Sequence, residues 1–218
     1  MDIDRLKLVI FDKDGLMMET ERPVMVIWRE VFAKWGLPPL TEELYSEFVG
    51  LDRRDNLRQI GEFFPDIDGE KLLTECGART REHLSNNPIE TKPGLFELFD
   101  ALDERGIKKV VATSSKRESA YMTLEKCGIL PHVDAVVSGD MVAQSKPAPD
   151  IFLKAADTMG FCPRECLVLE DSNAGVTAAH AARIPVIVIP DIAETPPDIL
   201  ALCLCRCESL FDVIGMLG

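Results

Sequence analysis

The residues best suited to chemistry in this 218-residue sequence are carboxylates that come directly after short apolar runs. Asp12 and Asp14 follow the first such run, and Glu170 and Asp171 follow a later one. Taken separately, the first pair could end a strand in an Asp-Gly turn, and the second pair could cap a helix. Together they supply the hard oxygen ligands that Mg²⁺ prefers. We therefore expect Asp12, Asp14, Glu170 and Asp171 to form a Mg²⁺ site.

Two hydroxyl side chains and one lysine could complement these carboxylates. Thr113 and Ser114 end another apolar run, next to backbone N–H groups at an expected helix start, and Lys146 precedes Pro147. A hydroxyl-rich strand end alone is a weak signal, and a lone lysine is usually solvated. Beside the carboxylates, however, Thr113, Ser114 and Lys146 are suited to bind a phosphoryl group that is held against the metal ion.

Such a set of residues could transfer a phosphoryl group. Asp12, screened by the metal ion, could attack phosphorus and form an aspartyl-phosphate. Asp14 could give a proton to the leaving oxygen and later take one from water, which contributes on the order of 10²–10⁴ in rate. These two duties require different environments for the two acids, and a metal ion beside Asp12 would supply that difference.

Five continuous apolar runs indicate strands that are covered on both faces, as in a parallel sheet. They span residues 6–11, 109–113, 133–138, 166–169 and 185–189. Helical patterns lie between the last four, with expected stops at Gly106, Gly128 and Gly160, a capping box opening at Ser115, and Pro149 in a first helical turn. This alternation predicts an α/β fold with a Rossmann-like, doubly wound parallel sheet. Right-handed crossovers then bring all the carboxyl ends of the strands, and the polar residues that follow them, to one edge.

Residues 21–87 interrupt this pattern, because they contain helical spacing of apolar residues and no convincing strand. The clearest apolar stripe runs from Val24 to Trp35. We expect an α/β core made of residues 1–20 and 88–218, with an inserted all-helical cap at residues 21–87. The alternative is that these helices merely cover the sheet. An insertion after the first strand would overhang the edge where α/β proteins bind ligands.

These motifs, in this order and at these intervals, resemble the haloacid dehalogenase superfamily in its phosphatase and β-phosphoglucomutase-like branch. Asp12-Lys13-Asp14-Gly15 is similar to the first motif of the family, which carries the nucleophile and the acid/base. Thr113, Lys146 and the Glu170-Asp171 pair match its second, third and metal-binding motifs. The resemblance implies Mg²⁺-dependent phosphoryl transfer between the core and a mobile helical cap that closes over a phosphorylated metabolite.

Departures from the family pattern favour one activity within that branch. Asp14 argues against a dehalogenase, because the dehalogenases lack this second aspartate. β-Phosphoglucomutases carry a histidine where we align Val24, and a lysine in the cap loop where Val49 precedes Gly50. The absence of both the histidine and the lysine favours water as the phosphoryl acceptor. We therefore expect a phosphatase acting on a small phosphorylated metabolite such as a sugar phosphate, with a β-phosphoglucomutase-like phosphomutase, or a non-enzymatic phospho-acceptor or metabolite-binding module, as alternatives.

Four further residues are candidates for contacts to the rest of the substrate: Gly50, Arg53, Arg54 and Lys116. An arginine fork could bind a carboxylate, a sugar-linked hydroxyl or a second phosphate. The alternative for an arginine pair at a helix start is a solvated face.

Composition limits the partners and the compartment. With 37 acidic and 24 basic residues, the net charge of −13 opposes general binding to nucleic acid or anionic membranes. The longest apolar run, residues 199–205, is far shorter than the ~20 residues that span a bilayer. We expect a cytoplasmic protein without a targeting segment, whose seven cysteines are reduced and whose state is monomeric, with an oligomer left open. We interpret the cluster of Cys203, Cys205 and Cys207 as small apolar packing rather than a metal site.

Overall fold

A six-stranded sheet forms the centre of the computed structural model, which describes residues 5–217. Its strands are β1 Leu8–Phe11, β2 Lys108–Thr113, β3 Ala135–Ser138, β4 Cys166–Glu170, β5 Val186–Val188 and β6 Cys205–Arg206. The order is β3-β2-β1-β4-β5-β6 and every pairing is parallel, which confirms the predicted doubly wound sheet. The first five strands agree with the predicted runs to within two residues at either end. Strand β6 was not predicted, because a strand of only two residues at the edge of a sheet is too short to form a recognisable apolar run.

Helices cover both faces of this sheet. In chain order, the α-helices of the described residues are α1 Glu21–Lys34, α2 Glu42–Ser46, α3 Arg53–Phe63, α4 Gly69–Asn86, α5 Leu95–Glu104, α6 Arg117–Lys126, α7 Asp150–Met159, α8 Asn173–Ala181, α9 Pro197–Leu200 and α10 Leu210–Leu217, and those from α5 onward cover the sheet. Phe11 of β1 packs in one apolar cluster with Phe99 of α5, while its neighbour Ile10 packs on the opposite face with Phe152 of α7. This burial of both faces explains why the strands are continuously apolar. Within residues 5–217, no helix has the length and apolar character needed to cross a membrane.

Three helices of the core end next to the predicted glycines. Gly106, Gly128 and Gly160 follow α5, α6 and α7 with φ angles of 66°, 69° and 73°, the left-handed conformation that glycine adopts without a steric penalty. Pro149 directly precedes α7 as its N-cap, one residue earlier than the predicted position in the first turn.

The predicted capping box at Ser115 is wrong. Helix α6 begins at Arg117, and the Ser115 hydroxyl donates instead to Oδ2 of Asp14 at 3.2 Å. The N–H of Arg117 donates to Oδ1 of Asp140, which lies after β3, at 3.1 Å. The Asp140 carboxylate thus accepts a backbone N–H of the first turn of α6, a contact that a capping side chain within the helix start would otherwise make.

The four helices α1 to α4 lie between β1 and β2 in the chain and share an apolar cluster of their own. Its buried members are Met25, Val31, Phe32, Leu40, Tyr45, Phe48, Val49, Ile60, Leu72, Leu73 and Cys76. Trp28 packs against it, with ring centroids 5.8 Å from Tyr45 and 5.6 Å from Phe48. These helices therefore bury apolar surface against one another as well as lying beside the sheet.

The two segments that connect this insertion to the sheet run side by side. Met18 in the outgoing segment and Thr91 in the returning segment form an antiparallel bridge. The Lys92 ammonium group donates to Glu19 and, at 2.9 Å, to Oδ1 of Asp191 after β5. The insertion thus leaves and re-enters the sheet at one place.

We predict that Gly94→Ala destabilises the protein more than Gly106→Ala. Both residues have left-handed backbones, which cost alanine about 1–2 kcal/mol. A Cβ on Gly94 would also lie 3.0 Å from the backbone nitrogen of Phe211 and 3.1 Å from its ring, whereas one on Gly106 would meet nothing within 4 Å. The overlap is expected to add about 1–3 kcal/mol. Urea denaturation measures both free energies of unfolding; equal losses would contradict this account of Gly94.

Candidate active site

The carboxyl ends of β1, β2 and β4 meet at one edge of the sheet because these central strands are parallel and adjacent. Asp12 directly follows β1, and its N–H donates to the carbonyl of Leu169 in β4 at 3.0 Å. Thr113 is the last residue of β2, and Glu170 is the last residue of β4. The sheet therefore brings together side chains that lie about 100 and 160 residues apart in the sequence.

A cavity of about 670 Å³ opens at this edge, between the strand ends and the inserted helices. Most of the predicted site residues line it, namely Asp12, Asp14, Gly50, Arg53, Arg54, Thr113, Ser114, Lys116 and Asp171. Lys146 and Glu170 lie beneath its wall and are almost completely buried. Val24 and Val49, the two apolar departures from the mutase pattern, also line the cavity.

Lys146 bridges two of the predicted carboxylates. Its ammonium group donates to Oδ1 of Asp12 and to Oε1 of Glu170. Burial by itself would lower the pKa of Lys146, but the charges of Asp12 and Glu170 outweigh burial and raise it. Lys146 is therefore a permanent positive charge under the floor of the cavity.

Glu170 is committed to this bridge and to the turn that follows β4. Its second oxygen, Oε2, accepts the backbone N–H groups of Asp171 and Ser172 at 2.9 Å each, and the Ser172 hydroxyl at 3.0 Å. A Cβ on residue Gly175 would lie only 1.7 Å from Oε1 of Glu170. No local pattern in the sequence indicates this close approach, although a glycine soon after an acidic pair is compatible with it.

Asp12 and Asp171 are crowded carboxylates on the cavity wall. Burial, reinforced by the charges of Glu170 and Asp14, raises the pKa of Asp12 to about 7 in spite of Lys146. Burial and the charges of Glu170 and Asp12 raise the pKa of Asp171 well above its usual range. No group within residues 5–217 donates a hydrogen bond to the Asp171 carboxylate. Repulsion between these groups is therefore only partly offset by Lys146.

This arrangement fits a Mg²⁺ ion held by few protein ligands. A divalent cation would offset the repulsion between Asp12 and Asp171, and Mg²⁺ is commonly bound through one or two carboxylates while it keeps several waters. Glu170 does not suit the predicted role of direct ligand, because both of its oxygens already accept hydrogen bonds. Among the described residues, no three His, Cys, Asp or Glu side chains are grouped as a complete metal site.

Asp14 has a different environment from Asp12. Its Oδ1 accepts Lys13 at 2.6 Å and Thr20 at 2.9 Å, and its Oδ2 accepts Ser115. Burial would raise the pKa of Asp14, but the charge of Lys13 and these hydrogen bonds lower it below its usual value. Lys13, Thr20 and Ser115 were not predicted as partners of Asp14; the position of Lys13 between two aspartates is the one signal for them in the sequence.

The hydroxyl groups at the end of β2 connect the sheet to the insertion. Thr113 Oγ1 accepts the N–H of Ser115 at 3.1 Å, so its hydroxyl hydrogen is free to point to another acceptor. Ser114 donates to the carbonyl of Gly50, in the loop before α3, at 2.9 Å. Gly50 has a φ of 77°, and a Cβ there would lie 2.6 Å from the Ser172 hydroxyl, so this loop rests directly on the sheet edge.

The three predicted cations of the cavity differ in their partners. Arg53 donates to Glu70 at 2.7 Å and Thr74 at 2.8 Å, both on α4, and is therefore tied within the insertion. The side chains of Arg54 and Lys116 make no hydrogen bond or ion pair to any other described residue, although the carbonyl of Lys116 accepts the N–H of Ala120. They are available to an anionic or hydroxyl-bearing ligand in the cavity.

Glu21 and Tyr45 form a cavity-lining pair that the sequence analysis missed. The Tyr45 hydroxyl donates to Oε2 of Glu21 at 2.7 Å. Burial and the charge of Asp14 raise the pKa of Glu21 to about 8. In the sequence, Glu21 is an acidic residue at a helix start, which is common. Its partner lies 24 positions away, so no local pattern reveals the pair.

Comparisons with known proteins agree with this geometry. A family model described as haloacid dehalogenase-like hydrolase matches residues 9–189. The chain is 29% identical to a phosphorylated carbohydrates phosphatase of Thermotoga maritima, over 82% of each chain. It is 32% identical to a fructose-1-phosphate phosphatase of Escherichia coli, over 82% of this chain and 94% of the relative.

A solved structure shows the same fold. CbbY from Rhodobacter sphaeroides, in complex with phosphate, superposes with a TM-score of 0.79 at 24% identity, over 95% of this chain and 96% of that one. The resemblance expressed by the motifs is thus supported along nearly the whole chain. The chain belongs to the haloacid dehalogenase-like hydrolase family and is a phosphoric monoester hydrolase of that family.

Proposed function

We propose that this hydrolase releases phosphate from a small phosphorylated carbohydrate through an aspartyl-phosphate on Asp12. The observation that carries the proposal is the position of Asp12, on the wall of a 670 Å³ cavity and bonded from below by Lys146. Relatives named as phosphatases of phosphorylated carbohydrates and of fructose 1-phosphate support this class of substrate. Val24 and Val49 on the cavity wall favour water over a phosphomutase reaction.

In this proposal, Lys146, Thr113 and Ser114 receive the phosphoryl group. The charge of Lys146 offsets the repulsion between the Asp12 carboxylate and the incoming phosphate. Thr113 is free to donate its hydroxyl hydrogen to a phosphate oxygen, and Ser114 lies beside it at the cavity wall. Arg54 and Lys116, and with them the loop at Gly50, contact the remainder of the substrate.

Asp12 and Asp171 would hold Mg²⁺, with Asp14 nearby. When bound, the ion would screen the negative charge of the nucleophile and the phosphate. The chain's own contribution is to hold Asp12 between Lys146 and the cavity, so that its carboxylate is oriented before the substrate arrives.

Asp14 would act as the acid and base for the leaving group and the water. Its bonds to Lys13 and Thr20 keep it ionised in the arrangement described. To donate a proton it must first leave these partners, and we propose that substrate binding at the cavity brings this about.

We also propose that residues 21–87 act as a cap over a core made of residues 1–20 and 88–218. The cap forms one wall of the cavity and meets the sheet edge through the bond from Ser114 to Gly50. A cap in this position would exclude water from the phosphoryl group during the first step. The free thiols of the described cysteines are compatible with a cytoplasmic location.

Replacement of the nucleophile tests the central step. Asp12→Asn is expected to lower the kcat for sugar phosphates at least about 10³-fold, because the amide cannot form the phosphoenzyme. Phosphate release is measured with a panel of sugar phosphates. The control is Asp66→Asn, an exposed aspartate that is not among the residues lining the cavity, and it should keep wild-type turnover. Retained hydrolysis by Asp12→Asn would refute the assignment of Asp12 as the nucleophile. In a second assay, the wild type receives a sugar monophosphate together with a sugar bisphosphate; formation of an isomer instead of free phosphate would refute hydrolysis.

The role of Asp14 is tested by varying the leaving group. Asp14→Asn is expected to lower kcat/KM, which reports the step that expels the leaving group, by about 10²–10⁴ for alkyl phosphates, whose leaving oxygen needs a proton. The loss should be much smaller for nitrophenyl phosphate, whose phenolate leaves without protonation. An equal loss for both kinds of substrate would show that Asp14 does not act as the acid.

Removal of the metal tests the assignment of Asp171. We expect a chelator to abolish hydrolysis and Mg²⁺ to restore it, and we expect Mg²⁺ to raise the Tm of the wild type. In Asp171→Asn the Mg²⁺ concentration for half-maximal activity should rise at least about tenfold. The metal-free variant should be no less stable than the wild type, because the change removes a crowded negative charge. A Tm increase with Mg²⁺ that is the same in both proteins would contradict this role for Asp171.

A further inference from the structure

Three sulfur atoms meet at the edge of the sheet formed by β6 and α10. The thiols of Cys205 and Cys207 both donate to the thioether sulfur of Met216, at 3.8 Å and 3.9 Å. Cys205 and Cys207 are two positions apart along an extended segment, so their side chains point to the same side. Both thiols are therefore directed at the same sulfur atom.

These separations are those of sulfur ligands around one metal ion. Two sulfur ligands that each lie about 2.3 Å from one metal ion are about 3.8–4.0 Å apart, and the Met216 sulfur lies at that distance from both thiols. Ordinary packing does not require two thiols to be directed at one thioether sulfur.

The third cysteine of the cluster does not take part. The Cys203 thiol donates to the carbonyl of Ile199 at 3.6 Å, and Cys203 packs on the opposite face of the sheet. Met216 is 40% exposed and Cys205 is half-buried, so an ion can reach the group from solvent.

We propose that Cys205, Cys207 and Met216 form a binding site for one Cu(I) ion. Two thiolates and a thioether are the soft donors that select Cu(I) over harder ions such as Mg²⁺. On binding, the two S–H bonds break, two protons pass to solvent, and three copper–sulfur bonds form while copper remains Cu(I).

This site is separate from the candidate active site. Strands β4 and β5 lie between β6 and β1, whose end carries Asp12. The site uses sulfur where the active site uses oxygen, so the two sites would select different metals. Its occupation can therefore be measured without reference to phosphatase activity.

Anaerobic competition with the coloured Cu(I) chelator bicinchoninate tests the site in the reduced, full-length protein. The wild type should remove one equivalent of Cu(I) from the chelator. Cys205→Ser should weaken binding at least about tenfold, and Met216→Leu should weaken it measurably, because each removes one of the three ligands. These two residues are at least partly exposed, so both variants are expected to fold, whereas a change of the buried Cys207 carries a greater risk of misfolding.

Cys203→Ser is the matched control, since it removes a nearby thiol that points elsewhere, and it should bind Cu(I) as the wild type does. X-ray absorption of the loaded wild type should show three sulfur neighbours. Failure to compete with bicinchoninate, equal affinity in Cys205→Ser or in Met216→Leu, or loss of binding in Cys203→Ser would each overturn the proposal.

Discussion

The buried bridge from Lys146 to Asp12 and Glu170 is the interaction on which the rest of the site depends. Two carboxylates this close and this deeply buried cannot both stay ionised without a cation between them. Removing one partner from such a buried group typically costs about 3–5 kcal/mol, because the remaining charge is left unpaired. Glu170 in turn holds the backbone of Asp171 and Ser172, so the same bridge fixes the turn that presents Asp171 to the cavity. One lysine thus positions residues at the ends of two strands.

Asp12 and Asp14 show how neighbours in sequence acquire different chemistry. Each is bonded to a buried lysine, yet their pKa values move in opposite directions. For Asp12, burial and the charge of Glu170 prevail; for Asp14, Lys13 and two hydroxyl donors prevail. A nucleophile and an acid/base need environments that shift their pKa values differently. In this protein, side chains supply part of that difference without a metal ion.

The sequence predicted what is local and repeated, and it missed what depends on distant partners. Apolar runs were sufficient to predict five strands and their parallel pairing, because a strand buried on both faces leaves no polar position. The two-residue strand β6 and the use of Ser115 by Asp14 depend on tertiary contacts that no local pattern encodes. The same holds for Glu21 with Tyr45, and for Arg53, which lines the cavity but is bonded to partners on α4. Strand ends could therefore be located from the sequence, but the partners of each polar side chain could not.

The side-by-side connectors of the insertion have an evolutionary consequence. Because Met18 and Thr91 pair directly, the chain leaves the sheet and returns to it through neighbouring positions. The loop-closure entropy of a segment with adjacent ends grows only slowly with its length. The insertion can therefore be lengthened, shortened or exchanged for another module without displacing a strand. A change confined to α1–α4 would therefore reshape one wall of the cavity while the side chains at the strand ends stay in place.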